Sequence, residues 1–201
     1  MNLNNKVTLV GTIMSPFRFD HETCYEKFYE ADLAVQRKSE VYDVIKIQIS
    51  ERLMDVKQDC TGCKARIHGE FRSFNERDGE ASHLKLYVFV EDIEEVDSET
   101  PDFNKVCLDG YLVKQPVYRE TPMGRKIADL KLAVNRAYGK SDYIHCIAWG
   151  RNAEYIAGFD VGTHIRAEGR IQSRTYIKES ETRMVYEVSF NKLKVYDEVV
   201  Q

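Results

Sequence analysis

The stretch Asn5-Lys6-Val7-Thr8-Leu9-Val10-Gly11 returns as Asn104-Lys105-Val106-Cys107-Leu108-Asp109-Gly110. Farther along the chain, Leu33-Ala34-Val35-Gln36-Arg37 returns as Leu132-Ala133-Val134-Asn135-Arg136. Both pairs are offset by 99 residues, whereas the repeats of solenoids are only about 20–50 residues long. This spacing indicates two copies of one domain, and a chain of 201 residues has room for both.

A polar segment separates the two copies. It runs from Glu91 to Asp102, is acidic, and contains Pro101 just before the second copy begins. Polar segments with proline are typical of domain linkers. The sequence therefore predicts an N-terminal domain over residues 1–97 and a C-terminal domain over 103–197.

Each copy consists of short stretches in which apolar and polar side chains alternate, the pattern of a half-buried strand. One short helix is expected in each copy, at Arg151–Ala157 and at its counterpart Arg52–Val56. Three strands, a helix and two strands are the order of an OB-fold, a five-stranded Greek-key barrel that binds oligonucleotides. We predict an all-β chain of two tandem OB-folds, in which Gly69 and Gly169 permit the bend that closes each barrel.

Composition limits the function classes. Hydrophobic residues make up 43% and charged residues 31%, and no stretch approaches the roughly 20 apolar residues of a membrane span. The start Met1–Asn5 has no apolar signal-peptide core, so we expect a cytoplasmic protein. Five cysteines, an odd number, indicate free thiols in a reducing compartment. A single CxxC, at Cys60-Thr61-Gly62-Cys63, is weak evidence for a metal or redox site.

The two copies carry opposite charge. Residues 1–100 contain 13 Lys and Arg against 20 Asp and Glu, and residues 101–201 contain 16 against 13. This asymmetry indicates that the two copies have different partners, although drift on solvated surfaces would also produce it.

Two strands of the second copy are predicted to present aromatic and cationic side chains outward. If Ile144 and Cys146 face the core, Tyr143, His145, Ile147 and Trp149 face out, and the strand from His164 to Tyr176 presents Arg166, Arg170, Arg174 and Tyr176. Bases stack on rings whatever their sequence, and guanidinium groups pair with phosphates. The face suits single-stranded nucleic acid, but aromatic faces also form protein interfaces.

The first copy helps to decide between these alternatives. Its equivalent strand keeps Ile45, Ile47 and Ile49 for the core, but its outward face carries Val44, Lys46, Gln48 and Ser50, without a ring. If the rings served only to pack the fold, both copies would be expected to carry them. We expect weak binding by the first copy, with Arg66, Arg72 and Phe74 as its contacts.

The second copy resembles the bacterial single-stranded DNA-binding protein (SSB) family. Several motifs carry the resemblance in order: Asn104–Gly110, Pro116–Arg119 with Thr121–Gly124, Leu132–Arg136, Asp142–Trp149, Ala153–Glu154 and Glu168–Tyr176. They span most of residues 103–196, whereas the first copy resembles the family only through core positions.

The resemblance implies a site and an assembly. The family stacks bases on four aromatic positions, which fall here on Tyr138, Tyr143, Trp149 and Tyr176. The predicted binding set also includes His145 and the arginines Arg119, Arg136, Arg166, Arg170 and Arg174. Family members with two OB-folds per chain pair as dimers, which implies a homodimer with four barrels.

The sequence also departs from the family pattern. The loop from Asn135 to Asp142 is short, and the chain ends at Tyr196–Gln201 without the family's acidic, aromatic-capped recruitment tip. We therefore expect no recruitment of partners by that route.

The leading hypothesis is a non-enzymatic protein that binds single-stranded DNA without sequence specificity in replication, recombination or repair. The alternative is an OB-fold accessory factor, of a primosome or mobile element, that meets DNA only within a complex. An enzyme using Cys60 and Cys63, or His145, is disfavoured, because no nucleophile with a base, phosphate-cradling loop or paired metal carboxylates is recognisable. No catalytic residue, metal or cofactor is expected.

Overall fold

A computed structural model describes residues 4–78, 81–178 and 181–196, without the side chains at 77–78, 81–82, 176–178 and 181–183. The described residues divide into two compact units. The N-terminal unit holds Lys6–Lys105 together with Ser173–Val185, and the C-terminal unit holds Val106–Gln172 with residues 4–5 and 186–196.

The N-terminal unit is built from six strands: β1 (Asn5–Ile13), β2 (Arg18–Thr23), β3 (Glu26–Gln36), β4 (Tyr42–Ser50), β5 (Lys64–Asp78) and β6 (Ala81–Glu95). Their order in the sheet is β2-β3-β4-β6-β5-β1, and a further pairing of β1 with β3 closes it into a barrel. β4 and β6 are parallel, while β1 with β3, β1 with β5, β3 with β4 and β5 with β6 pair antiparallel. The short β2 extends the edge of the barrel at β3.

The second copy repeats this plan with β7 (Phe103–Leu112), β8 (Val117–Glu120), β9 (Lys126–Asn135), β10 (Ser141–Trp149), β11 (His164–Lys178) and β12 (Glu181–Tyr196). The strand order is β7-β11-β12-β10-β9-β8, and β7 also pairs with β9. A helix, α1 (Arg151–Ile156), follows β10 as predicted. The prediction of an all-β chain with two tandem OB-folds is confirmed.

The helix predicted at Arg52–Val56 is wrong, because this segment forms turns. Leu53 N–H donates to the carbonyl of Ser50 at 3.1 Å, and Gln58 N–H donates to that of Asp55 at 3.1 Å. The Asp55 carboxylate also accepts the backbone N–H of Lys57 at 3.1 Å. Such a local side-chain bond offers the backbone an alternative to a helix.

The alternation of buried and exposed side chains along the strands shows which residues form the core of each barrel. Buried residues at every second position of β4 include Ile45, Ile47 and Ile49, each with 0% exposure. In β10 the same role falls to Ile144, Cys146 and Ala148, which are at most 1% exposed. Since successive side chains of a strand point to opposite faces, the remaining positions of β4 and β10 lie on the outside of their barrels.

The two strand glycines sit where neighbouring strands approach closely. A Cβ on Gly69 would lie 2.0 Å from the carbonyl oxygen of Phe89, and one on Gly169 would lie 2.1 Å from that of Ser189. A contact this short is impossible for any other residue unless backbone moves. The glycines at these positions therefore allow β5 to approach β6 closely, and β11 to approach β12.

The described residues hold neither a membrane-spanning helix nor a metal-binding cluster. In residues 4–78, 81–178 and 181–196, no helix is both long enough and apolar enough to cross a membrane. Nor does that part of the chain bring together three or more His, Cys, Asp or Glu side chains that could hold a metal ion. The chain ending expected to lack an acidic tip, at residues 197–201, lies outside the described residues.

Candidate nucleic-acid interface

The outward side chains of β10, with Lys131 of β9 and Ser189 of β12, form a surface that we call the β10 face. Tyr143 is 43% exposed and Trp149 is 37% exposed, and His145 lies exposed between them. Ile147, which alternation places on the same side, is only 9% exposed. The aromatic residues predicted from β10 therefore do reach the surface together.

Trp149 is held by a side chain from a neighbouring strand. Its indole N–H donates a hydrogen bond to the hydroxyl of Ser189 at 2.9 Å, and Ser189 is 8% exposed. The ring borders an open cleft of about 390 Å³ whose other walls are the turn at Gly124, Arg125 and Lys126 and the backbone at Gly150. One flat ring beside an open cleft can stack against a planar ligand such as a base.

Lys131 adds positive charge to this face. It pairs directly across from His145 in the β9–β10 ladder, and its ammonium lies 5.7 Å from the centre of the Tyr143 ring. Desolvation by the surrounding protein lowers the pKa of His145, and the charges of Lys131 and Lys114 lower it further. The imidazole is therefore neutral at neutral pH, and the lysines supply the charge.

Tyr138 lies in the loop between β9 and β10. It is 99% exposed, within a short 3₁₀ turn over Ala137–Gly139, and its φ is 61°. A non-glycine residue in this left-handed region is uncommon. The backbone thus presents the ring to solvent with no neighbouring side chain covering it.

Three of the predicted arginines are engaged within the C-terminal unit. Arg119 pairs with Asp129 at 2.7 Å, and Arg136 pairs with the fully buried Asp142 at 3.1 Å. With the Gln172 amide turned to accept, Arg170 donates to its oxygen at 2.7 and 2.8 Å. Each of these groups would have to share or exchange its partner to reach a phosphate.

Arg166 has different neighbours from Trp149. Hydrogen bonding to Cys107 is the largest of the effects that raise the pKa of Arg166, and Tyr196 contributes as well. Next to this group, His164 stacks on Tyr111 with ring centres 4.7 Å apart. The structure therefore places Arg166 with residues of β7 and the end of β12, not with the side chains around Trp149.

The last two predicted residues belong to the N-terminal unit. Arg174 is exposed and follows Ser173, at the start of the Ser173–Val185 segment of that unit. Tyr176 lies in β11, but its side chain is outside the described part of the structure.

The corresponding outward surface of β4, which we call the β4 face, is neutralised by its own carboxylates. Lys46 lies 3.7 Å from Glu30 and 3.4 Å from Asp32. Lys85 of β6 lies 2.5 Å from Glu30 and 3.5 Å from Asp20. The cations of this face already have anionic partners, so phosphates would have to compete with fixed carboxylates.

Aromatic volume is placed differently in the two barrels. Where the C-terminal unit has Trp149 next to the small Ser189, the N-terminal unit has the buried Ser50 and, on β6, Phe89. The guanidinium of Arg72 lies 3.6 Å from the centre of the Phe89 ring and covers it. The Phe89 ring is thus capped by a cation of its own barrel.

Sequence reasoning missed two residues of the β10 face. Lys131 could have been found from the sequence, because alternation in β9 puts it on the side opposite the buried Leu130 and Leu132. No sequence signal pointed to Ser189, because its hydrogen bond with Trp149 joins residues that are 40 positions apart on different strands.

Comparison with known proteins agrees with this geometry. The model of the "Single-strand binding protein family" matches residues 103–196. Single-stranded DNA-binding protein A of Bacillus subtilis is 38% identical over 88 residues, which are 40% of this chain and 51% of that protein. Single-stranded DNA-binding protein 2 of Listeria innocua is 38% identical over 90 residues, covering 41% of this chain and 56% of that protein. The chain thus spans about half the length of these curated relatives.

A solved structure shares the fold over nearly the whole chain. The single-stranded DNA-binding protein of Thermus aquaticus superposes with a TM-score of 0.79 at 22% identity, covering 96% of this chain and 92% of that one. This likeness covers both barrels, whereas the family match covers the second copy. The second copy, residues 103–196, is therefore similar to the single-strand binding protein family.

Proposed function

We propose that this protein binds single-stranded DNA without sequence preference, through the β10 face and the Tyr138 loop of its C-terminal unit. The observation that carries the proposal is the grouping of exposed rings, Tyr143 and Trp149, with the cation of Lys131 on one barrel face. Each base stacked on a ring contributes about 1–3 kcal/mol to binding whatever the sequence, and lysines pair with the phosphates of the backbone. The relatives, which are named single-stranded DNA-binding proteins, support the same ligand.

The residues of the proposed binding set make different kinds of contact with DNA. Tyr138, Tyr143 and Trp149 supply stacking surfaces, and Lys131 joins the predicted set as a cation. His145 is a neutral groove residue. Arg119, Arg136 and Arg170 reach a phosphate by sharing or exchanging the partners that they hold in the structure. Arg166, Arg174 and Tyr176 remain proposed contacts, to be tested one at a time.

The N-terminal unit has a different task in this proposal. Its β4 face carries Lys46 and Lys85 in ion pairs with Glu30, Asp32 and Asp20. A phosphate would therefore gain little there, since the carboxylates would be left without partners. We assign this unit to structural support and assembly, and the second copy to DNA.

Titration of Trp149 fluorescence tests the ligand. Trp149 is the chain's single tryptophan, so a base stacked on it reports directly. We expect oligo-dT to quench the emission and a duplex of equal length to leave it nearly unchanged. No quenching at any dT concentration in low salt would contradict the proposal and favour an accessory factor that meets DNA only within a complex.

Assembly as a homodimer with four barrels is part of the same proposal. The N-terminal unit keeps a complete core, while its β4 strand has Val44 and Ser50 where β10 has the rings of Tyr143 and Trp149, as expected of a unit retained for support. Light scattering at micromolar concentration should give twice the 23.4 kDa chain mass. A single species of the chain mass would show that the assembly proposal is wrong while leaving DNA binding open.

The proposed role is non-catalytic and lies in replication, recombination or repair. We place the protein in the cytoplasm, the reducing compartment in which five free cysteines are expected. Purified protein should leave oligo-dT intact after prolonged incubation, and protein-dependent cleavage would contradict a purely binding role.

A further inference from the structure

Cys60 and Cys63 occupy the first and last positions of the tight turn that leads into β5. The N–H of Cys63 donates to the carbonyl of Cys60 at 2.9 Å, and Gly62, the third residue, has φ of +89°, as a type II turn requires. The turn is also tied to the end of β1, because Gly62 N–H donates to the carbonyl of Ile13 at 2.8 Å and Ile13 N–H to that of Cys63 at 3.0 Å. Three backbone hydrogen bonds therefore hold this turn without help from the thiols.

The C-terminal unit builds the same turn without cysteine. Thr163 N–H donates to the carbonyl of Asp160 at 3.2 Å, and Gly162 has φ of +91°. Gly162 N–H donates to the carbonyl of Leu112 at 2.8 Å, and Leu112 N–H to that of Thr163 at 3.0 Å. Since Asp160 and Thr163 support the same backbone, the fold does not explain why cysteines stand at both ends of the first turn.

The geometry of the turn suits a bond between the two sulfurs. The end residues of a β-turn have Cα atoms less than about 7 Å apart, and disulfides span Cα separations of about 4.4–6.8 Å. The thiol of Cys63 neighbours that of Cys60 closely enough to raise its pKa, and both side chains are partly exposed. Across the described ranges, no third and fourth ligand completes a metal site around them.

We propose that Cys60 and Cys63 form a reversible disulfide, which makes the β4–β5 turn a redox modification site. The oxidant is a low-molecular-weight disulfide of the glutathione class. The thiolate of one cysteine attacks it, forming a mixed disulfide and releasing one small thiol. The second cysteine then attacks the mixed disulfide and releases the other. Two protein thiols are oxidised, one small disulfide is reduced to two thiols, and protons and electrons balance.

The surroundings set the rate of this exchange and limit its consequence. Burial and the neighbouring Cys63 raise the pKa of Cys60, so the attacking thiolate is scarce at neutral pH and oxidation accelerates as pH rises. The closed ring is short, and short rings stabilise little. This inference is independent of the proposed DNA function, because the turn lies in the N-terminal unit and the β10 face in the C-terminal unit.

Redox titration of the full chain tests the proposal. The protein is equilibrated with reduced and oxidised glutathione at a series of ratios and mildly alkaline pH, its free thiols are alkylated, and the digest is analysed by mass. Both cysteines fall in one tryptic peptide, Gln58–Lys64. We expect this peptide to become two hydrogens lighter and unalkylated as the oxidised fraction rises, and to revert with dithiothreitol.

Two variants make the result decisive. The double variant Cys60→Asp with Cys63→Thr carries the residues of the second turn and should unfold at the same denaturant concentration, with no oxidised Gln58–Lys64 peptide. Cys63→Ser should stop the exchange at a mixed disulfide on Cys60. Full alkylation of both cysteines at every ratio, a bond from Cys60 to Cys24 or to a second chain, or stoichiometric zinc in the purified protein would each overturn the proposal.

Discussion

The carboxylate of Asp43, on β4, accepts the backbone N–H of Ser173 at 2.8 Å, across 130 residues of sequence. Asp43 is 1% exposed, and Arg37 donates to both of its oxygens, at 2.7 and 2.5 Å. The hydroxyl of Ser173 in turn accepts the N–H of Val44 at 2.9 Å. One buried carboxylate therefore holds both Arg37 and the start of the Ser173–Val185 segment of the N-terminal unit.

Replacing Asp43 with asparagine should destabilise the N-terminal unit. The variant Asp43→Asn keeps the shape of the side chain but leaves the largely buried Arg37 guanidinium without its counter-charge, and breaking a buried pair costs about 3–5 kcal/mol. Urea unfolding monitored by circular dichroism gives the free energy of unfolding. The control Asp32→Asn disrupts the more exposed pairs with Arg18 and Lys46 and should cost at most about 1 kcal/mol. Equal losses of unfolding free energy in the two variants would show that the buried Asp43 pair stabilises the unit no more than an exposed pair does.

The hydroxyl of Ser189 should matter to DNA affinity although it is buried. The variant Ser189→Ala removes the partner of the Trp149 indole N–H, a hydrogen bond worth about 0.5–1.5 kcal/mol. We expect a several-fold weaker affinity for labelled oligo-dT and a shift of the tryptophan emission maximum. Ser98→Ala, in the exposed segment between β6 and β7, is the control. An unchanged emission spectrum for Ser189→Ala would contradict the positioning of the ring.

Two tyrosines provide a matched pair for the stacking proposal. Tyr138 of the C-terminal unit and Tyr25 of the β2–β3 turn are 99% and 94% exposed, with φ of 61° and 60°. Tyr138→Ser should weaken dT binding by about 1–3 kcal/mol, the value of one stacked base. Tyr25→Ser should leave affinity unchanged, as measured by fluorescence anisotropy at fixed salt. If the two substitutions weaken binding equally, Tyr138 has no specific stacking role.

The salt dependence of binding should distinguish the two barrels. Each phosphate contact on single-stranded DNA contributes about 0.7 to the slope of log affinity against log salt. Lys131→Gln should therefore weaken binding and reduce that slope by about this amount. Lys46→Gln removes a cation that already pairs with Glu30 and Asp32 and should change neither quantity. A smaller slope in the Lys46 variant would show that the β4 face also contacts DNA.

His145 should make DNA affinity sensitive to pH. Its pKa is lowered from the ordinary 6.5 by desolvation, Lys131 and Lys114, so the ring is neutral at pH 7 and gains its proton only below about 6.5. Nearby phosphates favour the protonated ring, so affinity should rise as pH falls through the lowered pKa. For folding the sign is opposite: the unfolded chain takes up the proton first, and stability is lost as pH falls below about 6.5. His145→Gln should remove both the rise in DNA affinity and the loss of stability at low pH. Identical pH profiles for the variant and the unsubstituted protein would show that His145 is not the group responsible.

Much of the fold could be predicted because it depends on local pattern. Alternation in β10 identified Ile144 and Cys146 as core and Tyr143 and Trp149 as surface, since side chains of a strand alternate by geometry alone. The 99-residue repeat showed that there are two barrels without any knowledge of their contacts. The failure at Arg52–Val56 has a local cause as well, because the Asp55 carboxylate bonds to the backbone N–H of Lys57.

What the sequence determined by itself was the number of barrels, their strand pattern and the rings available for stacking. Only the tertiary structure decided which charged groups are free to meet a ligand. Arg136 matches the family motif, yet its guanidinium pairs with Asp142. Lys131 is not among the residues predicted to bind, yet its ammonium lies beside the Tyr143 ring. The physical reason is that alternation is a property of each strand, while an ion pair or a hydrogen bond such as Trp149 to Ser189 depends on which strands the fold brings side by side.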